Sequence, residues 1–403
     1  VVIGVNLIPL RPGIVGGAEV YIRDLLDALC TIDKTNRYVL ATARYNHDSL
    51  ALPFENVKRC LLYAEKISVT AALRWRRLLK RIFLKIKWVH RTFGHFRNDS
   101  LLGIIAANGI DLWFCPFGNL EPRRLCIPSV ITVHDLQHEY HPEFFSEEEL
   151  NHRKEFNRRS CSQATRIIAV SDFTKETIVE KYGVNPRNIT PVWEAVGTWF
   201  RPEAAADRYP GVKEKYRLPD SYIYYPANIW HHKNHATLLK AFVIYKDREK
   251  SGLKLVLSGA QMEGSGSIEE TLSSLRLRDE VLFLGFLPRE DLPSLYWGAE
   301  SLVFPSLFEG FGIPLLEAMS VGCPVIASHT TSIPEIVGDA AVFFDPAAPE
   351  SIAEAMCTIT KQPQFRKRLI EKGRERAAMF SWAETARKTL SVFDEAVKTF
   401  NHE

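Results

Sequence analysis

Short apolar runs rich in Val and Ile alternate along the chain with longer stretches whose apolar residues recur at helical spacing. In the first half, VVIGVNLI, RYVLAT, GIDLWFCP, SVITVHD, RIIAVSD and NITPVW read as strands, and residues 18–32 and 146–164 as helices. Strands that are apolar throughout, each followed by a helix, predict a parallel sheet covered on both faces. The pattern breaks at 198–219, TWFRPEAAADRYPGVKEKYRLP, whose Pro, Ala and charge read as a linker. It restarts with SYIYYPAN, LKLVLSGA, EVLFLGFL, SLVFPS, PVIAS and AAVFFD as strands, with helices such as 234–246 and 290–299 among them. Three helical patterns close the chain, the last over about 381–400. The expected fold is α/β, two doubly wound units in tandem, and 403 residues is the right length for two cores.

Composition adds exclusions. A hydrophobic content of 46% and a charged content of 25% are ordinary globular values. A net charge of +3 makes no chain-wide case for nucleic acid. The seven cysteines, at 30, 60, 115, 126, 161, 323 and 357, include no C-x-x-C pair. Such a set suggests buried thiols in a reducing cytosol rather than a disulfide framework or a zinc knuckle. No run of eighteen apolar residues predicts a membrane span, and the opening VVIGVNLIPL is expected to be a strand rather than a signal peptide.

The near-balance of charge hides one uneven region. Residues 66–97 hold ten Lys or Arg and no acid, so the rest of the chain is net negative. Within it, LRWRRLLKRIFLKIKWVHR places Trp75, Leu78, Leu79, Ile82, Phe83, Ile86 and Val89 on one helical face, with basic residues around it. This predicts a basic amphipathic helix in 71–97 that meets an anionic membrane or a lipid-diphosphate acceptor, giving a cytoplasmic protein peripheral on the membrane. A half-buried helix with a solvated basic face is the alternative.

Ligands of open α/β sheets bind beyond the carboxyl ends of the strands, so the loops there carry the candidate chemistry. Gly16 and Gly17 precede a helix, where bare N–H groups and the positive helix end suit an anion, although the same pair makes a plain turn. Lys233 stands at the mouth of another predicted helix. His231, His232 and His235 beside it could hold a metal or be ordinary loop residues, and no carboxylate or cysteine partner lies near them in sequence. HDLQH (134–138) imitates the zinc motif H-E-x-x-H, but His134 closes a strand, Asp135 stands where Glu belongs and Pro142 cuts any helix short. A histidine at a strand end facing the cleft is better placed to touch substrate.

The segment FPSLFEGFGIPLLEAM (304–319) holds Glu309 and Glu317 on either side of two glycines and a proline. Its G-F-G-I-P-L lacks the third glycine of a dinucleotide fingerprint and lies late in its unit, which disfavours a dehydrogenase. Pro314 is expected at the first position of a helix, with Glu317 in the first turn and Glu309 in the loop before it. Carboxylates on different elements need not meet, which argues against a glycosidase pair.

These residues resemble a known family. E-GFGIPLL-E, GCPVIAS and IPEIVGDAAVFFDP, with VSDFTKETIVEKYGV, the early GGAE, HHKN and the terminal FSWAETA, are similar to the retaining glycosyltransferases of family 4, over nearly the whole chain. The resemblance implies the GT-B fold. Residues 1–197 would be an acceptor-binding Rossmann-like domain and 198–380 a nucleotide-sugar-binding one, with a last helix at about 381–403 crossing back to the first. It also implies roles: Glu309 would hold the hexose, the backbone of Phe311, Gly312 and Ile313 would contact sugar and diphosphate, and Glu317 would bind the ribose. Lys233 would neutralise the diphosphate with help from the Gly16 and Gly17 amides, and His134 would sit beside the transferred sugar. Many members carry an arginine on the diphosphate where this chain has Asn228, so the leaving-group charge falls to Lys233, helix ends or another arginine.

The implied reaction is hexose transfer with retention, without a metal cofactor, to a saccharide or lipid-linked saccharide. No D-x-D occurs to hold a divalent ion. Similarity to surface-polysaccharide mannosyltransferases favours GDP-mannose, with UDP-sugars next. A non-catalytic module that only binds nucleotide-sugars is the alternative.

Overall fold

The computed structural model describes residues 1–13, 16–62, 99–261 and 268–401, so the basic stretch 71–97 lies outside the described residues. The first sheet contains seven strands: β1 (Val2–Asn6), β2 (Arg37–Thr42), β3 (Val57–Leu61), β4 (Leu112–Cys115), β5 (Ser129–Val133), β6 (Arg166–Ala169) and β7 (Ile189–Pro191). They pair in parallel in the order β3-β2-β1-β4-β5-β6-β7. The second sheet is β8 (Tyr222–Pro226), β9 (Lys254–Ser258), β10 (Val281–Phe283), β11 (Ser301–Phe304), β12 (Val325–Ser328) and β13 (Ala341–Phe344), also parallel, in the order β10-β9-β8-β11-β12-β13. Central strands such as β5 and β11 are buried at every position, as a sheet covered by helices on both faces requires.

Two local readings are corrected. β3 was absent from the strand pattern because VKRCL carries Lys58 and Arg59. It lies at the sheet edge, half-buried, where charges are tolerated and discourage pairing with another chain. The segment read as a linker is instead mostly a helix, Pro202–Tyr216. Pro202 occupies its first turn, where the missing N–H costs nothing, and Ala205 and Val212 are buried. Tertiary contacts hold it despite Pro210 inside: Ser294 Oγ donates to the Ala205 carbonyl (2.9 Å), and Tyr216 Oη donates to the buried Asp291 (2.7 Å).

The last helix, Trp382–Phe400, begins with Ser381, whose hydroxyl accepts from the Glu384 N–H (3.2 Å). Its apolar face lies on the first sheet's domain. Phe393 meets Phe114 at 5.1 Å, Thr385 Oγ1 donates to the Trp193 carbonyl (2.7 Å), and Arg166 donates to Thr399 (2.7 Å).

A carboxylate fastens the domains at another point. Glu335, on the short helix Ile333–Val337, accepts from the N–H groups of Asp172 (2.9 Å) and Phe173 (3.0 Å) and from Trp193 Nε1 (2.7 Å). The first two donors open the helix Asp172–Tyr182, so a negative charge of one domain caps the positive end of a helix in the other. Removing it in Glu335→Ala should cost roughly 2–3 kcal/mol, the scale of one or two charge-assisted hydrogen bonds. Urea unfolding would check this, and a variant as stable as wild type would contradict the assignment.

Candidate active site

In each sheet the strand order reverses once, between β1 and β4 and between β8 and β11. The loops leaving those strands diverge there and open a crevice. The two crevices face each other across one cleft of about 520 Å3. Gly16 and Gly17 after β1 and His134 after β5 line it from one side, and Asn228, Lys233, Glu309, Phe311, Gly312 and Ile313 from the other. Glu317 is not part of that lining.

The loop 309–312 is built to present N–H groups. Its carbonyls are consumed: that of Gly310 accepts from Ser171 Oγ (2.6 Å) and Thr174 Oγ1 (3.2 Å), and Ser332 Oγ donates to those of Glu309 (3.0 Å) and Phe311 (3.2 Å). The Phe311 ring is buried against Phe380, which leaves its backbone for the cleft. The N–H groups of Phe311 and Gly312 find no acceptor among the described residues. Gly312, at φ 101°, takes a left-handed turn that opens the helix Ile313–Ser320. Uncommitted amides at a helix start form an anion site.

Pro314 is the second residue of that helix rather than the first, and Glu317 therefore lies one turn further in than the first turn. There it is half-buried and accepts from Tyr296 Oη (2.6 Å). Burial pushes its carboxyl up to about 7, against the opposing pull of the Tyr296 hydroxyl and Arg289.

Lys233 ends the turn His231–Lys233, and its own carbonyl accepts from Tyr225 Oη (2.8 Å). Its Nζ reaches Glu309 Oε1 at 2.5 Å. Sequence reading assigned these residues to different ends of a ligand without pairing them. Both are largely buried, so the ion pair keeps either charge from standing alone in the cleft wall. Asn228 Oδ1 accepts from the Ala260 N–H (2.8 Å), bracing the loop after β8 against the loop after β9. No arginine lines the cleft among the described residues.

His134 Nε2 lies 2.9 Å from the Pro116 carbonyl, and Nδ1 lies 3.4 Å from Glu194 Oε1. Burial disfavours its charged form, but Glu194, with the Pro116 carbonyl and Asp135, outweighs this and holds the His134 pKa above the ordinary value. Glu194 was missed, although it follows β7 closely and the rule that selected strand-end loops applies to it equally. HDLQH does not converge on a metal: His138 Nε2 pairs with Tyr182 Oη (3.0 Å) while His134 faces Pro116 and Glu194. His231 stacks on Phe144, and burial pushes His232 down to about 2 and His235 to about 4. Among the described residues no group of three or more His, Cys, Asp or Glu is placed to hold a metal ion.

Comparison with known proteins agrees with this architecture. A family model described as glycosyl transferases group 1 matches residues 212–376, and one described as Glycosyltransferase Family 4 matches 15–198. The chain is 30% identical over 266 residues to O-antigen chain mannosyltransferase B of Escherichia coli, covering 66% of this chain and 70% of that protein. It is 31% identical over 258 residues to the serotype-specific mannosyltransferase WbdA of E. coli, covering 63% of this chain but only 31% of that longer protein. Among solved structures, sucrose-phosphate synthase from Thermosynechococcus elongatus superposes with a TM-score of 0.78 at 19% identity, covering 99% of both chains. Two Rossmann-like domains about one cleft are the GT-B arrangement.

The raised Glu317 carboxyl has a consequence for stability. A carboxyl whose pKa is higher folded than unfolded costs nothing below the ordinary value near 4.3. The cost accumulates as pH rises towards 7 and is full above it. Glu317→Gln, which mimics the protonated form, should match wild type at pH 4.5 and exceed it above pH 7 by on the order of 1–3 kcal/mol. Unfolding followed at several pH values would test this; a stability difference that does not change with pH would refute it.

Proposed function

The chain belongs to the group 1, family 4 glycosyltransferases, and on that footing we propose that it moves a hexose from a nucleotide-sugar to a glycan or lipid-linked saccharide with retention of configuration. The observation that carries this reading is the convergence of Lys233, Glu309 and the uncommitted amides at Phe311 and Gly312 opposite His134 in one cleft. GDP-mannose is the favoured donor because the relatives compared are named mannosyltransferases, with UDP-sugars the next choice.

In the proposed reaction the diphosphate lies against the amides of the 311–312 loop, those of Gly16 and Gly17, and Lys233. Glu309 accepts from hexose hydroxyls, and Glu317, on the helix that opens at Ile313, accepts from the ribose where the ligand extends beyond the lined cleft. Cleavage of the anomeric carbon–phosphate oxygen bond builds negative charge on the diphosphate, and fixed cations and N–H groups stabilise it without reorganising. The acceptor hydroxyl forms the new bond on the face that the diphosphate leaves, and its proton passes to the departing phosphate oxygen. No step calls for a metal. Seven free cysteines suit a cytoplasmic setting, and the basic stretch 71–97 suits an anionic membrane surface. No helix among the described residues is long and apolar enough to cross a membrane.

Single-turnover assays with labelled GDP-mannose and UDP-sugars test the reading. Neither transfer nor slow hydrolysis with any of them would favour a module that only binds nucleotide-sugars. Lys233→Ala should lower turnover about a hundredfold to a thousandfold, the cost of losing a cation aimed at developing charge. Glu309→Gln should slow transfer without weakening nucleoside diphosphate affinity, because it removes the counter-charge of Lys233. Wild-type turnover in either folded variant would remove that residue from the mechanism.

The membrane proposal has its own test. Anionic vesicles should float the protein at low salt, and charge reversal of Arg76, Arg77, Lys80 and Arg81 should abolish flotation. Flotation unaffected by the reversal would end it.

A further inference from the structure

The cleft has an unfavourable charge count for a ligand that carries a diphosphate. Asp135, Glu194 and Glu309 line it, and among the described lining residues Lys233 is the one Lys or Arg, already paired with Glu309. His232 is kept neutral by burial and by Lys233 beside it. Among the described lining residues, the group left to supply a further positive charge is His134.

Two independent features of His134 fix how many protons it carries. A carbonyl can only accept, so the 2.9 Å contact to Pro116 requires hydrogen on Nε2. A neutral ring would then turn a bare Nδ1 lone pair on Glu194 Oε1 at 3.4 Å, acceptor against acceptor. The Glu194 carboxylate is only 4% exposed, and its side chain has no other ion pair or hydrogen bond among the described residues. A carboxylate so buried requires a proton or a cation beside it. Both needs are met by one proton on Nδ1.

The other groups facing the ring do not supply that proton. Tyr21 from the helix Gly17–Ile32 presents its ring edge at 4.9 Å, and burial raises its hydroxyl well above the ordinary range. Asp135 on the same loop adds negative charge, which also favours the imidazolium. Gly310 approaches with backbone alone.

We propose that Glu194 is a positioning residue that keeps His134 a doubly protonated imidazolium, and that this imidazolium is the second positive charge of the donor cleft, in a chain with Asn228 where an arginine could have stood. Nε2 is thereby committed to the Pro116 carbonyl, and Nδ1 faces Glu194 as an ion pair. His134 therefore acts on the ligand through its charge rather than by donating a hydrogen bond. The charge is present at low pH and is lost as pH rises through the raised His134 value.

The identity of the ligand rests on the proposed transfer reading; the proton count does not. The test therefore has two arms, both on the full chain. NMR titration of the His134 ring without ligand, assigned through its loss in His134→Asn, should show the imidazolium persisting above pH 7 in wild type. In Glu194→Gln the midpoint should fall by at least about one pH unit, because a neutral amide can donate to a bare Nδ1. Glu194→Asp keeps the charge and should retain a raised midpoint, which separates this role from simple packing. Calorimetry with GDP and UDP from pH 6 to 9 should then show affinity falling by up to about tenfold per pH unit beyond the wild-type midpoint. In Glu194→Gln the fall should begin at correspondingly lower pH. The same midpoint in wild type and Glu194→Gln, or an affinity that stays flat through the wild-type titration, overturns the proposal. Failure of both nucleotides to bind at any pH overturns the cleft's assignment to a nucleotide donor, while the NMR arm still decides the Glu194–His134 pair.

Discussion

The arrangement of the cleft depends on one backbone contact, the approach of Gly310 to His134. A Cβ at Gly310 would lie 1.7 Å from the His134 carbonyl oxygen, so no other residue fits at this separation. The Gly310 carbonyl simultaneously accepts from Ser171 and Thr174 of the opposite domain. The loop that presents Glu309 and the free amides is therefore fixed by contacts with the other domain as well as by its own strand. Glu335 holds the same two bodies at the start of the helix Asp172–Tyr182, and the last helix holds them from behind. The geometry of each half of the site therefore depends on the other domain.

The two domains bring charges together at close range, so each must be balanced locally. Lys233 balances Glu309 and His134 balances Glu194. Glu317 has no such charged partner in contact among the described residues, only the Tyr296 hydroxyl, and burial raises its carboxyl to about 7. The cleft is thus lined by matched pairs lying beside uncommitted N–H groups. An anion entering the cleft would meet amides with no acceptor among the described residues and cations whose counter-charges are already present. That combination admits an anion without leaving a bare cation buried in its absence.

The fold was largely legible because buried parallel strands leave a strong local mark. Runs such as SVITV and SLVF are apolar at every position, and β1, β2, β5 and β8 fall where their patterns place them. β3 escaped because an edge strand needs only half its surface covered and can carry Lys58 and Arg59. The helix Pro202–Tyr216 escaped because its stability comes from Ser294 and Asp291, residues about eighty positions further along the chain.

The sequence by itself determined which residue types stand at the ends of which strands: His134 after β5, Lys233 after β8, Glu309 after β11. Those positions follow from local periodicity, and periodicity reports only on near neighbours. The tertiary structure alone decided which of them meet. Lys233 and Glu309 are separated by 76 positions and His134 and Glu194 by 60, and nothing in either local pattern encodes the pairing. The depth of Glu317, and so its affinity for a proton, depends on Tyr296 and on the packing around a helix whose start the sequence placed one residue late. Composition and spacing fix what chemistry is available, and only burial and distance fix the charge that each group carries.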